Sequence, residues 1–517
     1  MAKILAIDVG TQSARAIVFD EHGHLLAKAQ TIFDPTYVSP RPGWAEQGTD
    51  IYWNGVRQSC AALWRGGVVR PAEITGVSLT TQRATMVCVD GAGKVLRPAI
   101  VWLDHRRSDS PPNLGALWST AFKLAGATNL IRQFQAESDA NWLSEHEPEV
   151  WRETSKFLFL SGWLTHRLVG EYVDSVGCQV GYVPFDYKNL RWAAKNDFKW
   201  KAVRVRPDQL PRLVAPGEKL GALTRAAADE LGLPAGLPLI AAAADKACEV
   251  LGCGALAADV AQLSFGTTAT INTTQSKYVE VQRLLPAYPA AMPNAYNTEI
   301  QIYRGFWMVS WFKREFAHNE QRLADERGVP AEMLFDELIS NVPPGSMGLT
   351  LQPYWSPGVR DPGPEAKGAI IGFGDVHTRA HFYRAILEGL VYGLRSGGEK
   401  IEKKIGRKIR LLRVAGGGSQ SDVAMQITAD IFGLPAERSE IYETSALGAA
   451  INCAVGLGLH PDYATAVKTM CRVGRRFDPQ ESARKTYDAL YRDVYSRMYP
   501  QLKPIYQKIR EITGYPP

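Results

Sequence analysis

The feature that most constrains this chain is a short strand–turn–strand unit that occurs twice. Ile4-Leu5-Ala6-Ile7 runs into Asp8-Val9-Gly10-Thr11-Gln12-Ser13 and returns as Ala16-Ile17-Val18-Phe19. In mid-chain, Ala261-Gln262-Leu263-Ser264 runs into Gly266-Thr267-Thr268 and leaves as Ala269-Thr270-Ile271. Short apolar runs bounded by Gly-Thr turns read as buried strands. The echo suggests two related halves meeting near residue 254. A length of 517 residues gives each half room for its own core.

The rest of the pattern is α/β. Val77-Ser78-Leu79 and Met86 to Val89 read as strands, and Asp50 to Trp64 has helical spacing at Ile51, Val56 and Leu63. Leu237 to Ala241 is a strand rising into Ala244-Asp245-Lys246. Leu411 to Ala415 is another, followed by Gly416-Gly417-Gly418 and a helix capped by Ser421 or Asp422 that ends before Gly433 and Pro435. Near the C-terminus, Tyr487, Leu490, Tyr491, Val494, Tyr495, Met498 and Leu502 form a helical stripe. It reads as a helix packed on the core or as a dimer face, so a homodimer is one expectation.

Composition excludes several classes. Lysine plus arginine number 59 against 53 aspartate plus glutamate, a net charge of +6 that calls for no nucleic-acid partner. No apolar run reaches the roughly 20 residues that span a bilayer, and Asp8 interrupts the N-terminal apolar stretch too early for a signal peptide. Seven cysteines without a Cys-x-x-Cys pair read as free thiols in a reducing compartment. The expectation is a soluble, cytoplasmic, multidomain protein with no membrane partner.

The chemistry-bearing residues gather at the turns. In Asp8 to Arg15, Gly10 lets backbone amides approach a phosphate, Thr11 and Ser13 add hydroxyls beside Gln12, Arg15 neutralises charge, and Asp8 can hold a hydrated magnesium ion. An ordinary hairpin with a surface aspartate is the plain alternative. The second turn, with Gly266 and Thr267, strengthens the phosphate reading, since two such loops can grip a polyphosphate from both sides. No Gly-x-x-x-x-Gly-Lys-[Ser/Thr] occurs, so a P-loop is excluded. Gly416 and Gly417 allow close approach of an adenine or ribose, or simply make a flexible turn. Asp245 follows a buried strand, where a carboxylate needs a task or a partner. It is a candidate general base, with a helix cap as the alternative. His377 and His381 have the i, i+4 spacing of zinc ligands but lack the glutamate and third ligand of such sites.

Assembled, these residues resemble the FGGY family of carbohydrate kinases, within the actin/Hsp70-type ATPase superfamily. Pro42-Gly43-Trp44-Ala45-Glu46-Gln47, Thr81-Gln82-Arg83 and Val101 to Arg106 look like its substrate-side segments. Gly368 through Glu388 fits its C-terminal signature, and Gly416-Gly417, Ala429-Asp430 and Ala446 to Ala450 resemble its adenosine region. The resemblance implies two RNase H-like domains flanking a catalytic cleft, here 1–253 on the sugar side and 254–517 on the nucleotide side. It implies ATP and Mg2+, with Asp245 as base and Asp8 near the metal. Thr11, Gln12, Ser13, Arg15, Gly266 and Thr267 fall around the phosphates, and Gly416, Gly417 and Ser421 at the adenosine; many relatives carry Asn at the Ser421 position. Gln82, Arg83, Trp102 and Asp245 form the substrate side. Gln82-Arg83 resembles glycerol kinases, but Ala84 replaces their glutamate and Lys246 their glutamine. The Gln-Met-His-Gly of xylulose kinases is absent. The implied activity is phosphorylation of a terminal hydroxyl on a small sugar or polyol: a ketopentose such as xylulose or ribulose, or glycerol or a tetritol. The competing readings are a non-catalytic sugar- or nucleotide-sensing pseudokinase and an actin- or chaperone-like ATPase.

Overall fold

The computed structural model describes residues 2–283, 285–358 and 362–515. The chain packs into two units. The first comprises Met1–Gly254, Ser276–Asn297 and Glu443–Cys471, and the second Ala255–Gln275, Thr298–Tyr442 and Arg472–Pro517. A single division at 254 therefore misses two returns, because residues 276–297 and 443–471 pack with the first unit.

The first unit is built on β1 (Lys3–Val9), β2 (Ser13–Asp20), β3 (Leu25–Ile32), α1 (Thr49–Arg65), β4 (Ile74–Thr81), β5 (Lys219–Ala222), β6 (Pro238–Ala241) and α2 (Asp245–Gly252). Every residue of β1 after Lys3 is buried, as expected of a strand covered on both faces. The exposed and half-buried residues of β3 mark a sheet edge. The strand order is β5-β6-β4-β1-β2-β3. β1 pairs antiparallel with β2 and parallel with β4, which pairs parallel with β6. A second core around Trp142, Phe157, Phe159 and Phe185 lies in the same unit.

The second unit repeats this plan. Its elements are β7 (Val260–Phe265), β8 (Ala269–Gln275), β9 (Tyr296–Ile302), α3 (Arg379–Ile405), β10 (Leu411–Ala415), α4 (Asp422–Phe432) and β11 (Ala436–Ser439). The chain then returns to the first unit as α5 (Thr444–Gly456) and ends with β12 (Val473–Phe477) and α6 (Ser496–Thr513) in the second. The strands run β9-β8-β7-β10-β11-β12, with β7 antiparallel to β8 and parallel to β10. The duplication suggested by two Gly-Thr turns is thus one of whole sheets: a meander joined through its first strand to parallel partners.

Several local expectations meet specific outcomes. His381 is the third residue of α3, and its Nδ1 accepts the Thr378 N–H at 3.2 Å. His377 Nδ1 accepts the Gly374 N–H at 2.8 Å, so both imidazoles serve local turns. Tyr487, Tyr491, Tyr495 and Met498 of the C-terminal stripe are buried, and three of these tyrosine rings pack around Tyr392. The stripe is core packing of the second unit. Among the described residues, no helix is long and apolar enough to cross a membrane.

α2 and α5 meet at unusually short range. A Cβ on Gly448 would stand 1.9 Å from the Cys248 carbonyl oxygen, and one on Gly252 1.9 Å from that of Thr444. Ala446 to Ala450, which resemble the family's adenosine region, therefore lie in a helix of the first unit and are all buried.

Candidate active site

In the first unit the site grows from the end of β1. The hairpin register sets Asp8 directly opposite Arg15. Arg15 Nη1 accordingly donates to Asp8 Oδ2 at 2.9 Å. Asp8 is buried, and loss of hydration pushes its carboxyl up to about 6 although Arg15 pulls the other way; Asp245 and Glu443 add to the rise. Asp245 and Glu443 add negative charge near the Asp8–Arg15 pair, with Lys28 paired to Glu443 and Lys246 beside Asp245.

The turn after Asp8 is tied to residues expected on the substrate side. Thr11 Oγ1 donates to Gln82 Oε1 and accepts from Trp102 Nε1, the latter at 2.9 Å. Gln47 Nε2 donates to the Thr11 carbonyl at 2.9 Å, and Gln82 Nε2 donates to Tyr52 Oη at 3.2 Å. The Thr11 hydroxyl is thus engaged on both sides. Gln12 is exposed at the turn, and buried Ser13 accepts from Gln30 Nε2 at 2.9 Å. Trp102 keeps 44% of its surface exposed despite its hydrogen bond, a large apolar face open to a ligand.

Gln82 sits where β4 ends, and the next residues form a strained loop. Ala84 has φ +53°, a left-handed conformation rare for a residue with a Cβ. Arg83 stacks on Tyr288, 5.2 Å from its ring centre. Asp245 opens α2, with Ala244 as the cap, and its Oδ1 accepts the Lys246 N–H at 2.7 Å. Burial raises its pKa, while Lys246 and then Arg83 pull it down. Lys246 in turn pairs with Glu249 at 2.9 Å.

The second unit gathers the other candidates at one end of a parallel strand pair. Ser264 of β7 registers with Ala415 of β10, which places Gly266-Thr267 and Gly416-Gly417 just beyond neighbouring strand ends. The turn is braced from behind, its Gly266 carbonyl accepting the Phe306 N–H at 3.0 Å, while Thr267 stays exposed. Gly416 has φ +87°, and a Cβ there would meet the Phe265 backbone at 2.8 Å. Gly417 has nothing within 4 Å of its Cβ position. Ser421 donates to Asp336 Oδ1 at 2.6 Å and accepts the Ala424 N–H at 3.0 Å, so its hydroxyl is committed to capping α4.

Asp8, Arg15, Gln82, Arg83, Trp102 and Asp245, all legible in the sequence, lie in the first unit. Tyr52, Tyr288 and Glu443 carry no local sequence signal, and Gln47 and Lys246 show their hydrogen bonds and ion pair only in the fold. Only tertiary packing brings Glu443 to Arg15, at 3.8 Å.

A family model for the N-terminal domain of the FGGY family of carbohydrate kinases matches residues 3–252, and one for the C-terminal domain matches residues 261–457. The chain belongs to the FGGY family of carbohydrate kinases. It is 30% identical over 98% of its length to an uncharacterized sugar kinase, YgcE, of Escherichia coli, covering 96% of that protein. It is 26% identical to a xylulose kinase of Staphylococcus epidermidis, with 99% of each chain covered. The crystal structure of ligand-bound xylulose kinase from Lactobacillus acidophilus shares the fold with TM-score 0.82, at 20% identity, over 98% of this chain and 100% of that one. The protein is a phosphotransferase with an alcohol group as acceptor, and sugar kinases of this family use ATP.

Proposed function

We propose that the enzyme transfers the γ-phosphoryl group of magnesium ATP to a terminal hydroxyl of a ketopentose such as xylulose or ribulose, or of glycerol or a tetritol. The observation that carries this reading is the setting of Asp245. A desolvated carboxylate opens α2, takes the Lys246 amide on one oxygen, and is drawn toward its ionised form by Lys246 and Arg83. Such a group can accept a proton from a substrate hydroxyl as that oxygen attacks phosphorus. The open face of Trp102 suits a short carbon chain, and Gln82 and Arg83 are the groups assigned to its hydroxyls. The xylulose kinase among the relatives supports a five-carbon ketose.

Asp8 offers the hard oxygen donor that magnesium takes, and the neighbouring negative charges of Asp245 and Glu443 that raise its pKa suit a cation there. Bound at Asp8 with the nucleotide, magnesium would neutralise phosphate charge. Arg15 and the amides of the Gly10 turn bind phosphate oxygens, as do Gly266 and Thr267 in the second unit. Gly416 and Gly417 admit the nucleoside. Seven free thiols suit work in the cytoplasm.

The deciding experiment is Asp245→Asn, assayed for ADP release at saturating sugar and ATP. Asparagine keeps the shape and cannot take the proton, so kcat falls by roughly 10²–10⁴ while both ligands bind within a few-fold. Retention of more than about a tenth of wild-type kcat would exclude the base. A panel of ketopentoses, tetritols and glycerol then identifies the acceptor by kcat/KM.

A further inference from the structure

We propose that Glu443 is a positioning residue for the first phosphate loop, holding the Arg15 guanidinium in place from the start of α5. The inference rests on the reading above that Arg15 and Asp8 serve the nucleotide. Glu443 immediately precedes α5, at the point where the chain re-enters the first unit. Its carboxylate is largely buried, at 15% side-chain exposure, and its two oxygens face two cations: Oε1 pairs with Lys28 and Oε2 lies 3.8 Å from Arg15 Nη1.

The sheet explains why an acid is required there. Arg15 of β2 registers with Gln30 of β3, so Lys28, two residues along β3, is its diagonal neighbour on the same face. Two cations so placed repel unless an anion lies between them, and Glu443 is that anion. Arg15 depends on it further, because its buried Nε has no hydrogen-bond partner among the described residues. Among the described residues the guanidinium is held from its Nη1 side, by Asp8 at 2.9 Å and Glu443 at 3.8 Å. Glu443 keeps a carboxylate on Arg15 when Asp8 serves a metal instead. The arginine then stays aimed at phosphate rather than swinging toward water.

The test is a double-mutant cycle of Glu443→Gln and Arg15→Gln on the full chain. It reads ADP affinity by calorimetry with and without magnesium, kcat/KM for ATP, sugar KM and melting temperature. Loss of a charged hydrogen-bond partner is worth roughly 10- to 100-fold, so Arg15→Gln weakens ADP and ATP by about that much. Glu443→Gln weakens both about 5- to 10-fold, leaves sugar KM within about two-fold, and adds nothing to Arg15→Gln in the double variant. Glu443→Asp, which keeps the charge, recovers part of the loss. Losses that multiply in the double variant, or that fall equally on sugar KM and melting temperature, overturn the positioning role. So does a silent Glu443→Gln beside an impaired Arg15→Gln, which leaves the phosphate reading standing. A silent Arg15→Gln removes the phosphate reading itself, and the inference with it.

Discussion

Gly448→Ala tests whether the helix that begins at Asp245 is held by backbone contact. The new Cβ would lie 1.9 Å from the Cys248 carbonyl oxygen, where side-chain atoms do not come within 3.0 Å. The oxygen belongs to the backbone of α2, so it cannot rotate aside, and α2 and α5 must part locally by more than an ångström. Three terms set the outcome. Alanine is about 1 kcal/mol better than glycine inside a helix, which favours the variant. Overpacking opposes it by roughly 1–3 kcal/mol, with the upper end apt for a clash against main chain. Parting the helices by that much also forfeits about half or more of the dispersion between them, where Cys248 and Leu447 are buried. The net is about 2–3 kcal/mol of destabilisation, or roughly 3–5 °C in Tm for a unit of this size. Because α2 carries Asp245 at its first position, kcat should fall further than sugar affinity. Differential scanning calorimetry and a coupled ADP assay measure the two effects. Gly91→Ala, with nothing within 4 Å of its Cβ position, serves as a control expected to be neutral. A Gly448→Ala enzyme that melts within about 1 °C of wild type would refute the reasoning, since the clash has no softer outlet.

Two further outcomes follow from the site. Gly417→Ala meets open space and should leave Tm unchanged while raising the KM for ATP several-fold, if a nucleoside lies against it; Gly416→Ala, forced to φ +87° against Phe265, should instead unfold the second unit at lower temperature. Calorimetry beside ATP kinetics separates the pair. Arg83→Gln should raise sugar KM by roughly 10- to 100-fold, the worth of a charged hydrogen bond. It should also shift the acid limb of kcat/KM to higher pH: Arg83 lowers the Asp245 pKa, so without it less of the base is ionised at a given pH. A limb that stays in place, or moves down, would separate Arg83 from Asp245.

What the sequence disclosed and what it withheld divide along one physical line. The strands around Gly10 and Gly266, the helix after Asp50 and the cap at Ser421 are local, and their periodicity and turn chemistry are complete within a few residues. Asp8 and Arg15 are legible together because a seven-residue separation across a tight hairpin makes them opposite partners. Glu443 is not, because no local pattern says that the chain leaves the second unit there and lays a carboxylate between Lys28 and Arg15. The same limit governs small residues. Gly417 and Gly448 are equally plain in the sequence, and both stand in stretches that resemble a nucleotide-binding region. In the fold, one looks onto space with nothing within 4 Å, and the other faces a carbonyl oxygen 1.9 Å from its missing Cβ. A glycine admits whatever comes close, and only the opposing surface decides whether that is a ligand or a neighbouring helix. Gly417 therefore leaves room for the nucleoside proposed there, whereas Gly448 is closed off by α2, the helix that begins at Asp245.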